Sequence, residues 1–236
     1  MKQVPWPRKW MKHLPGAEAA PEQVRSRPSD ACAEGSRQIT VEGGMDNTRG
    51  EKIRPRARIL SVAAELFHRH GIRSVGVEAI AEAADTSKMT LYRHFASKDE
   101  LIAQYLRHFT ELAHSERPEP VDPAEALMLL RTWLSEMADH LNDPDGRGCR
   151  FANAAVELPD KSHPARRVIK AYKIVHRRWL IRLCRAAELS KPAMLADVLY
   201  LLLEGARVTT QSVGRAGIGA RFRRLSEVTI AAHMSK

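Results

Sequence analysis

The side chains best suited to chemistry lie between Ser87 and Lys98, and they are hydrogen-bond donors and acceptors rather than catalytic pairs. Ammonium, hydroxyl, guanidinium and imidazole groups all bond to phosphate oxygens or to the edges of DNA bases. In a helix that begins after Ser87, Leu91 and Phe95 fall on the inner face and leave the polar side chains on the outer face. The predicted contacts within this helix are Lys88, Thr90, Tyr92, Arg93 and His94.

A second short helix and a tight turn must position this run of polar residues. Small and apolar side chains share one face of a helix that begins at Val77, namely Ile80, Ala81 and Ala84. Such small residues allow a second helix to cross closely. Asp85 stands in the turn, where a residue that tolerates a positive φ is required. The pattern from about Val75 to Phe95 therefore predicts a helix-turn-helix.

The same segment resembles the DNA-binding domain of the TetR family. Residues 80–101 read IAEAADTSKMTLYRHFASKDEL, and the family pattern is approximately I-A-x-x-A-G-V-S-x-x-T-L-Y-x-H-F-x-S-K-x-x-L. A first helix is predicted to begin at Pro55 and to stop at Gly71, and its residues Ile59 to Phe67 together with Gly71 extend the resemblance to about 60 residues. The chain departs from the pattern at Asp85 (usually Gly), at Thr86 (commonly Val) and at Gly76, where Ser or Thr often caps the second helix. None of these changes removes an expected DNA contact.

The resemblance implies a role for each matching position. Thr90, Tyr92 and His94 are expected to approach the DNA, with Tyr92 on the phosphates. The resemblance also implies contacts at the start of the reading helix, from Ser87 and Lys88. Lys98 matches a phosphate contact of the family. Ser97 begins a capping box at the N-terminus of the same helix, and a helix N-terminus itself attracts an anion. The alternative for Tyr92 and His94 is that both pack against neighbouring helices.

The net charge is consistent with a nucleic-acid partner but does not locate it. The chain has 38 Lys and Arg against 28 Asp and Glu, which gives +10 and a pI of about 9.8. Between Arg147 and Ala186 there are 11 basic and 2 acidic residues, whereas Met45–Ser115 has 11 and 9. The most basic stretch is therefore not the predicted reading motif, and it is interpreted mainly as a solvated helix face, with attraction of an acidic effector as the alternative.

The N-terminal segment, residues 1–49, is predicted to be a disordered extension, because it is rich in Pro, Gly and Ser and lacks apolar periodicity. Met45 is an alternative biological start. The basic arm that follows could contact the DNA backbone or minor groove, or could form a solvated helix face. Its basic residues are Arg49, Lys52, Arg54, Arg56 and Arg58.

Helical periodicity continues to the C-terminus, and the sequence predicts an all-α fold of about nine helices. Beyond the linker at Arg117–Pro120, apolar stripes predict helices from Pro123, Cys149, Pro164, Pro192 and Ala220. The predicted domains are a TetR-type helix-turn-helix domain over 50–115, built on three N-terminal helices, and a helical ligand-binding and dimerisation domain over 121–236.

The resemblance implies that the second domain holds an effector among its central helices and forms a homodimer through its last two. The apolar run Leu195–Ala206 fits a four-helix dimer interface, and the alternative is a buried monomeric core. The residues predicted to line the effector pocket are Trp133, Met137, Phe151, Asn153, Tyr172, His176 and Trp179.

Other classes of function find little support. Three separated cysteines favour neither a disulfide framework nor a zinc site, and Cys149 and Cys184 are expected to be buried. His68 and His70 lack the i, i+4 spacing of helical metal ligands. No secretory signal or membrane span is evident, so we expect a cytoplasmic protein without cofactor or metal that is not an enzyme.

The sequence therefore predicts a regulator, most simply a ligand-responsive homodimeric repressor that binds a palindromic operator in double-stranded DNA. The main alternative is a small-molecule binding protein that has lost operator recognition. The operator, the target genes and the effector are not evident from the sequence.

Overall fold

The computed structural model describes residues 54–115, 118–144 and 146–234. These residues form nine helices and no strand, as expected for an all-α fold. The helices are α1 (Pro55–His70), α2 (Val77–Ala83), α3 (Lys88–His94), α4 (Lys98–Ser115), α5 (Pro123–Asn142), α6 (Arg150–Glu157), α7 (Pro164–Ala186), α8 (Pro192–Val213) and α9 (Ile218–Ala231). None of these nine combines the length and apolarity needed to cross a lipid bilayer.

The chain divides after Arg58 into two units. In the first unit only residues 54–58 are described, and Pro55–Arg58 form the beginning of α1. The predicted disordered extension, residues 1–49, lies outside the described residues, as do Cys32, Arg49 and Lys52. All the packing considered below belongs to the second unit, Ile59–Lys236.

The helix-turn-helix forms where the small and apolar residues predict it. Gly71 ends α1 with a φ of +85°, a conformation that glycine adopts without steric cost. Asp85 in the turn between α2 and α3 has a φ of +47°, as its place in the sequence predicts. The hydroxyl of Ser97 accepts the backbone N–H of Glu100 at 3.1 Å and so caps α4.

A first hydrophobic core, which we call the reading-domain core, lies beneath the helix-turn-helix. Leu91 of α3 and Phe95, the residue directly after α3, are almost completely buried there against residues of α1, α2 and α4. The same core includes Phe151 and Ala154 of α6 and Ile169 of α7. The reading helices are therefore packed against elements that follow the linker, and not only against one another.

A second hydrophobic core, the bundle core, joins α5, the C-terminal half of α7, α8 and α9. Its fully buried residues include Leu130, Leu134, Leu180, Leu195 and Leu199. The free cysteines Cys149 and Cys184 are both buried, as expected. Burial raises the pKa of the Cys184 thiol to about 12, so this group is a small hydrophobe rather than a nucleophile.

The last helix begins earlier than the glycine pattern suggests. We expected the chain break to reach Gly219 and the helix to begin at Ala220, but α9 begins at Ile218 and ends at Ala231. A Cβ atom at Gly219 would lie 2.5 Å from the backbone oxygen of Ala138. The glycine is therefore part of the helix and allows α9 to approach α5 closely.

Candidate nucleic-acid interface and second-domain sites

The face of α3 that points away from the reading-domain core is polar and exposed. Leu91 and Phe95 are 0% and 1% exposed, whereas the side chain of Tyr92 is 43% exposed. Lys88, Arg93 and His94 are exposed, and Thr90 is half-buried. Tyr92 and His94 are therefore not buried against a neighbouring helix, and the predicted contacts in α3 are at least partly accessible, as is Met89, which is 77% exposed.

Two of the predicted DNA contacts also build the reading helix. The hydroxyl of Ser87 accepts the backbone N–H of Thr90 at 3.1 Å, and the two side-chain hydroxyls lie 3.0 Å apart. A capping serine of this kind fixes the first turn of the helix. Ser87 and Thr90 thus fix where α3 begins as well as presenting hydroxyl groups at its N-terminus.

Lys88 is bound within the chain. Its ammonium group forms an ion pair with Glu78 of α2, and both side chains are more than half exposed. The hydrogen bond to Glu78 raises the pKa of Lys88, and the same bond lowers the pKa of Glu78. DNA phosphates must therefore compete with a carboxylate for this lysine.

Lys98 lies at the first residue of α4, beside the capping Ser97. It is half-buried, and burial lowers the pKa of its ammonium group, while Asp99 and Glu157 oppose the shift. The neighbouring carboxylate of Asp99 lies 3.3 Å from Nε2 of His163, which caps α7. The N-terminus of α4 is thus connected to the second domain directly beside its predicted phosphate contact.

Most of the aromatic residues predicted for the effector pocket do come together. Trp133 lies 5.5 Å from His176 and 5.8 Å from Trp179, measured between ring centroids. Tyr172 meets His176 edge-on at 5.7 Å and stacks on Phe151 at 3.8 Å. The five rings lie in one region where α5, α6 and α7 meet.

Beside these rings, three charged side chains that the sequence analysis did not single out as a group form one cluster. Glu204 accepts hydrogen bonds from Lys173 at 2.7 Å and from Arg207 at 2.8 Å. Burial alone would raise the pKa of Glu204, but the charges and hydrogen bonds of Arg207 and Lys173 hold it below its usual value. Met137, a predicted pocket residue, lies against this cluster with its sulfur 3.6 Å from a nitrogen of Arg207.

Comparison with known proteins places this fold in a family. Residues 59–105 match the family model described as bacterial regulatory proteins, tetR family. The HTH-type transcriptional repressor KstR2 of Mycobacterium tuberculosis (strain ATCC 25618 / H37Rv) is 33% identical over 100 residues, which make up 41% of this chain and 50% of KstR2.

Two solved structures from Streptomyces cover most of the chain. SCO4454, a TetR-family transcriptional regulator from Streptomyces coelicolor, has a TM-score of 0.65 and 27% identity, over 77% of this chain and 96% of its own. The protein sav143 of Streptomyces avermitilis, a candidate TetR transcriptional regulator, has a TM-score of 0.60 and 31% identity, over 76% and 98%.

The chain belongs to the TetR family of transcriptional regulators. The resemblance drawn from residues 80–101 is thereby confirmed, and the family is one of transcription regulators rather than of enzymes. The match spans about half the length of KstR2, so what that repressor controls is not transferred to this regulator.

The regulator also has a cavity that the sequence analysis missed. It has a volume of about 380 Å³, opens to solvent, and lies between the C-terminus of α1, α4, α6 and the end of α8. Asn153 is the one predicted pocket residue that lines it. No local sequence pattern predicts its basic and acidic residues as a group, because they come from separate elements. These residues are His68, Arg147, Arg150, Glu157 and Arg215.

Proposed function

We propose that this chain is a ligand-responsive, homodimeric transcriptional repressor that binds a palindromic DNA operator. Residues 50–115 form the DNA-binding domain and residues 121–236 form the ligand-binding and dimerisation domain. Two copies of α3 enter successive major grooves about 34 Å apart. A homodimer of this kind requires an operator with matching two-fold symmetry.

The observation that carries the proposal is the division of α3 into two faces. Leu91 and Phe95 hold the helix in the reading-domain core, while Tyr92, Arg93 and His94 face solvent. A helix whose exposed face carries hydroxyl, guanidinium and imidazole groups is suited to phosphates and base edges. On this proposal Tyr92 and Lys98 bind phosphates, and Ser87, Lys88, Thr90, Arg93 and His94 complete the contact surface.

Exposed apolar side chains on α8 and α9 support the homodimer. On α8, Leu201, Val208 and Val213 are 67%, 63% and 75% exposed, and on α9 Val228 is 64% exposed. Soluble proteins bury such a concentration of apolar groups against a partner. A second copy of the same two helices forms a four-helix interface that covers them.

The effector is proposed to act through the second domain, where the aromatic residues of α5, α6 and α7 gather. An effector releases DNA only if it binds the released conformation more tightly than the DNA-bound one. The Phe151–Tyr172 stack joins α6 to α7, and α6 is part of the reading-domain core. A ligand that separates these rings therefore acts on the packing beneath α3.

A gel-shift titration with the DNA upstream of the protein's own gene tests DNA recognition. We expect one fragment to bind specifically at moderate salt and in the presence of competitor DNA. The double variant Tyr92→Ala/His94→Ala should abolish that binding, while Met128→Ala, an exposed position on α5, should not change it. If no flanking intergenic fragment binds specifically, the protein is instead a ligand-binding protein without operator recognition.

Sedimentation velocity tests the dimer. The wild-type chain should sediment as a dimer, and Val208→Lys should convert it to a monomer because a lysine cannot be desolvated in an apolar interface. Met128→Lys introduces the same charge at another exposed apolar position, 57% exposed, and should remain dimeric. A monomeric wild-type chain would contradict the proposed interface.

A further inference from the structure

The cavity beside α1 has an excess of positive charge. Among its described lining residues Arg147, Arg150 and Arg215 are cations, and Glu157 is the only carboxylate. Arg215 donates to the backbone oxygen of Gly146, and Arg150 lies 3.5 Å from the ring centroid of Phe109. Three guanidinium groups against one carboxylate give the described lining a net positive charge, which attracts an anion.

The behaviour of His68 agrees with this charge distribution. Its pKa is lowered from 6.5 to about 4, first by burial and then by Arg150 and Arg147, while Asp143 opposes the shift. The protonated imidazole is thus disfavoured by the same guanidinium groups that would attract an anion. Phosphate and carboxylate ligands are the usual partners of such groups.

Part of the remaining wall of the cavity is apolar. Phe67, Ile72, Ala154 and the ring of Tyr105 contribute this part, and all four residues are at least 95% buried, whereas Asn153 and Gln211 add polar groups. A volume of about 380 Å³ is within the range of sites for small organic molecules. The site is therefore suited to a compound with an anionic group at one end and an apolar body at the other.

We propose that this cavity binds a small organic anion, whose carboxylate or phosphate lies on Arg147, Arg150 and Arg215 and whose apolar body lies against Phe67 and Tyr105, and that binding weakens the affinity for DNA. The second part rests on the proposed repressor function. The first part, the binding of the anion, depends only on the cavity.

The contacts of Arg147 and Glu157 give the physical reason for the effect on DNA. Arg147 donates to the backbone oxygens of His68 and Arg69 in the last turn of α1, at 3.3 Å for His68. Glu157 accepts the backbone N–H of Arg73, just after α1, at 2.9 Å. An anion competes with the two carbonyl groups for Arg147, and its negative charge repels Glu157. Both effects weaken the hydrogen bonds that hold the end of α1 and the segment between α1 and α2.

Titration calorimetry on the full chain tests the site without DNA. The probes are benzoate and phenyl phosphate, with inorganic phosphate and neutral benzamide for comparison, all at one ionic strength. We expect at least one aromatic anion to bind and benzamide not to bind. Phenyl phosphate alone would identify phosphate esters as the ligand class, and benzoate alone would identify carboxylates. Inorganic phosphate should bind more weakly than phenyl phosphate, since it lacks the apolar body.

Matched variants locate the binding. Arg147→Gln and Arg215→Gln each remove one guanidinium and should weaken anion binding about tenfold or more, as expected for a lost hydrogen bond to a charged group. Arg178→Gln removes an exposed arginine of α7 outside the cavity and should leave the affinity unchanged. If Arg147→Gln unfolds, Arg215→Gln carries the test, because Arg215 contacts a loop oxygen and not α1. Absence of binding by both anions, equal binding of benzamide, or equal affinities in all variants overturns the site.

A gel shift then tests regulation. With chloride keeping the ionic strength constant, the binding anion should weaken DNA affinity in the wild type and have no effect in Arg215→Gln. An anion that binds in the calorimeter but leaves DNA affinity unchanged overturns the regulatory part. A chain that binds no DNA even without the anion contradicts the proposed function instead, and the calorimetric result for the cavity is unaffected.

Discussion

The reading surface and the cavity beside α1 are built in opposite ways. The reading surface comes from one continuous segment, Ser87–Lys98, whose polar side chains are mostly exposed. The cavity is assembled from residues between Phe67 and Arg215 that belong to four separate helices and to the three loops that follow α1, α5 and α8. The first can be predicted from helical spacing together with the family resemblance, whereas the second exists only after the chain has folded. The reading-domain core connects them, because α6 lines the cavity and also packs beneath the reading helices.

The largest expected effect comes from breaking that shared core. Phe151→Ala removes a side chain that is 4% exposed and stacks on Tyr172 at 3.8 Å between ring centroids. The loss should be about 3–5 kcal/mol in the free energy of unfolding, measured by urea denaturation at one protein concentration. Amide hydrogen exchange should accelerate in α1 and α4 as much as in α6.

The control for this change is Val156→Ala on the same helix. Val156 is 83% exposed, so its truncation should change stability by less than about 0.5 kcal/mol. If Phe151→Ala accelerates exchange in the bundle core but leaves α1 and α4 protected, the two regions are energetically separate and the proposed connection through α6 is wrong.

The next effect is a pH dependence that reports on the cavity. The pKa of His68 is about 4 in the folded chain against 6.5 when unperturbed, owing to burial, Arg150 and Arg147. Between these values the unfolded chain binds a proton that the folded chain does not. Stability is therefore complete above pH 6.5 and falls as the pH decreases toward 4, by up to about 3 kcal/mol from this group.

Urea denaturation from pH 7 to pH 4 measures this slope. His68→Gln should flatten it, and a remainder should persist because burial also lowers the pKa values of His108 and His140. His94→Gln, which removes an exposed histidine of α3, should keep the wild-type slope. A bound anion should flatten the slope as well, because it stabilises protonated His68. Identical slopes in the wild type and His68→Gln would exclude His68 as the cause.

The sequence was sufficient where the determining contacts are local. The faces of α3 follow from the spacing of Leu91 and Phe95, and the turn follows from the tolerance of Asp85 for a positive φ of 47°. The gathering of Trp133, Tyr172, His176 and Trp179 was also predictable in part, since three of them recur along one stripe of α7.

Distant contacts were not predictable in this way. The position of Gly219 within α9 depends on the backbone of Ala138, and the binding of Glu204 by Lys173 and Arg207 depends on how α7 and α8 pack. Arg147 lies in the loop between α5 and α6 and contacts the end of α1. The spacing of residues along the sequence does not predict the course of this loop. Asn153 was chosen as a pocket residue, but it lines the cavity beside α1 rather than the aromatic region.

On the reading surface, Lys98→Ala should weaken binding about tenfold on every DNA sequence tested, because phosphate contacts carry no base information. The slope of log affinity against log salt should decrease by about 1. Filter binding across a salt series measures both quantities, and Lys170→Ala on the exposed face of α7 is the control. A change in base preference would show instead that Lys98 reads sequence.

The smallest effect concerns the ion pair that holds Lys88. Glu78→Gln removes a carboxylate that competes with DNA for the lysine and repels phosphates. Affinity should rise by roughly threefold at low salt and return to the wild-type value at high salt, where exposed charges are screened. Glu136→Gln on α5 makes the same change in net charge away from α3 and should give no comparable gain. Equal gains would attribute the effect to overall charge, and a loss of affinity in Glu78→Gln would show that the carboxylate orients Lys88 toward the DNA.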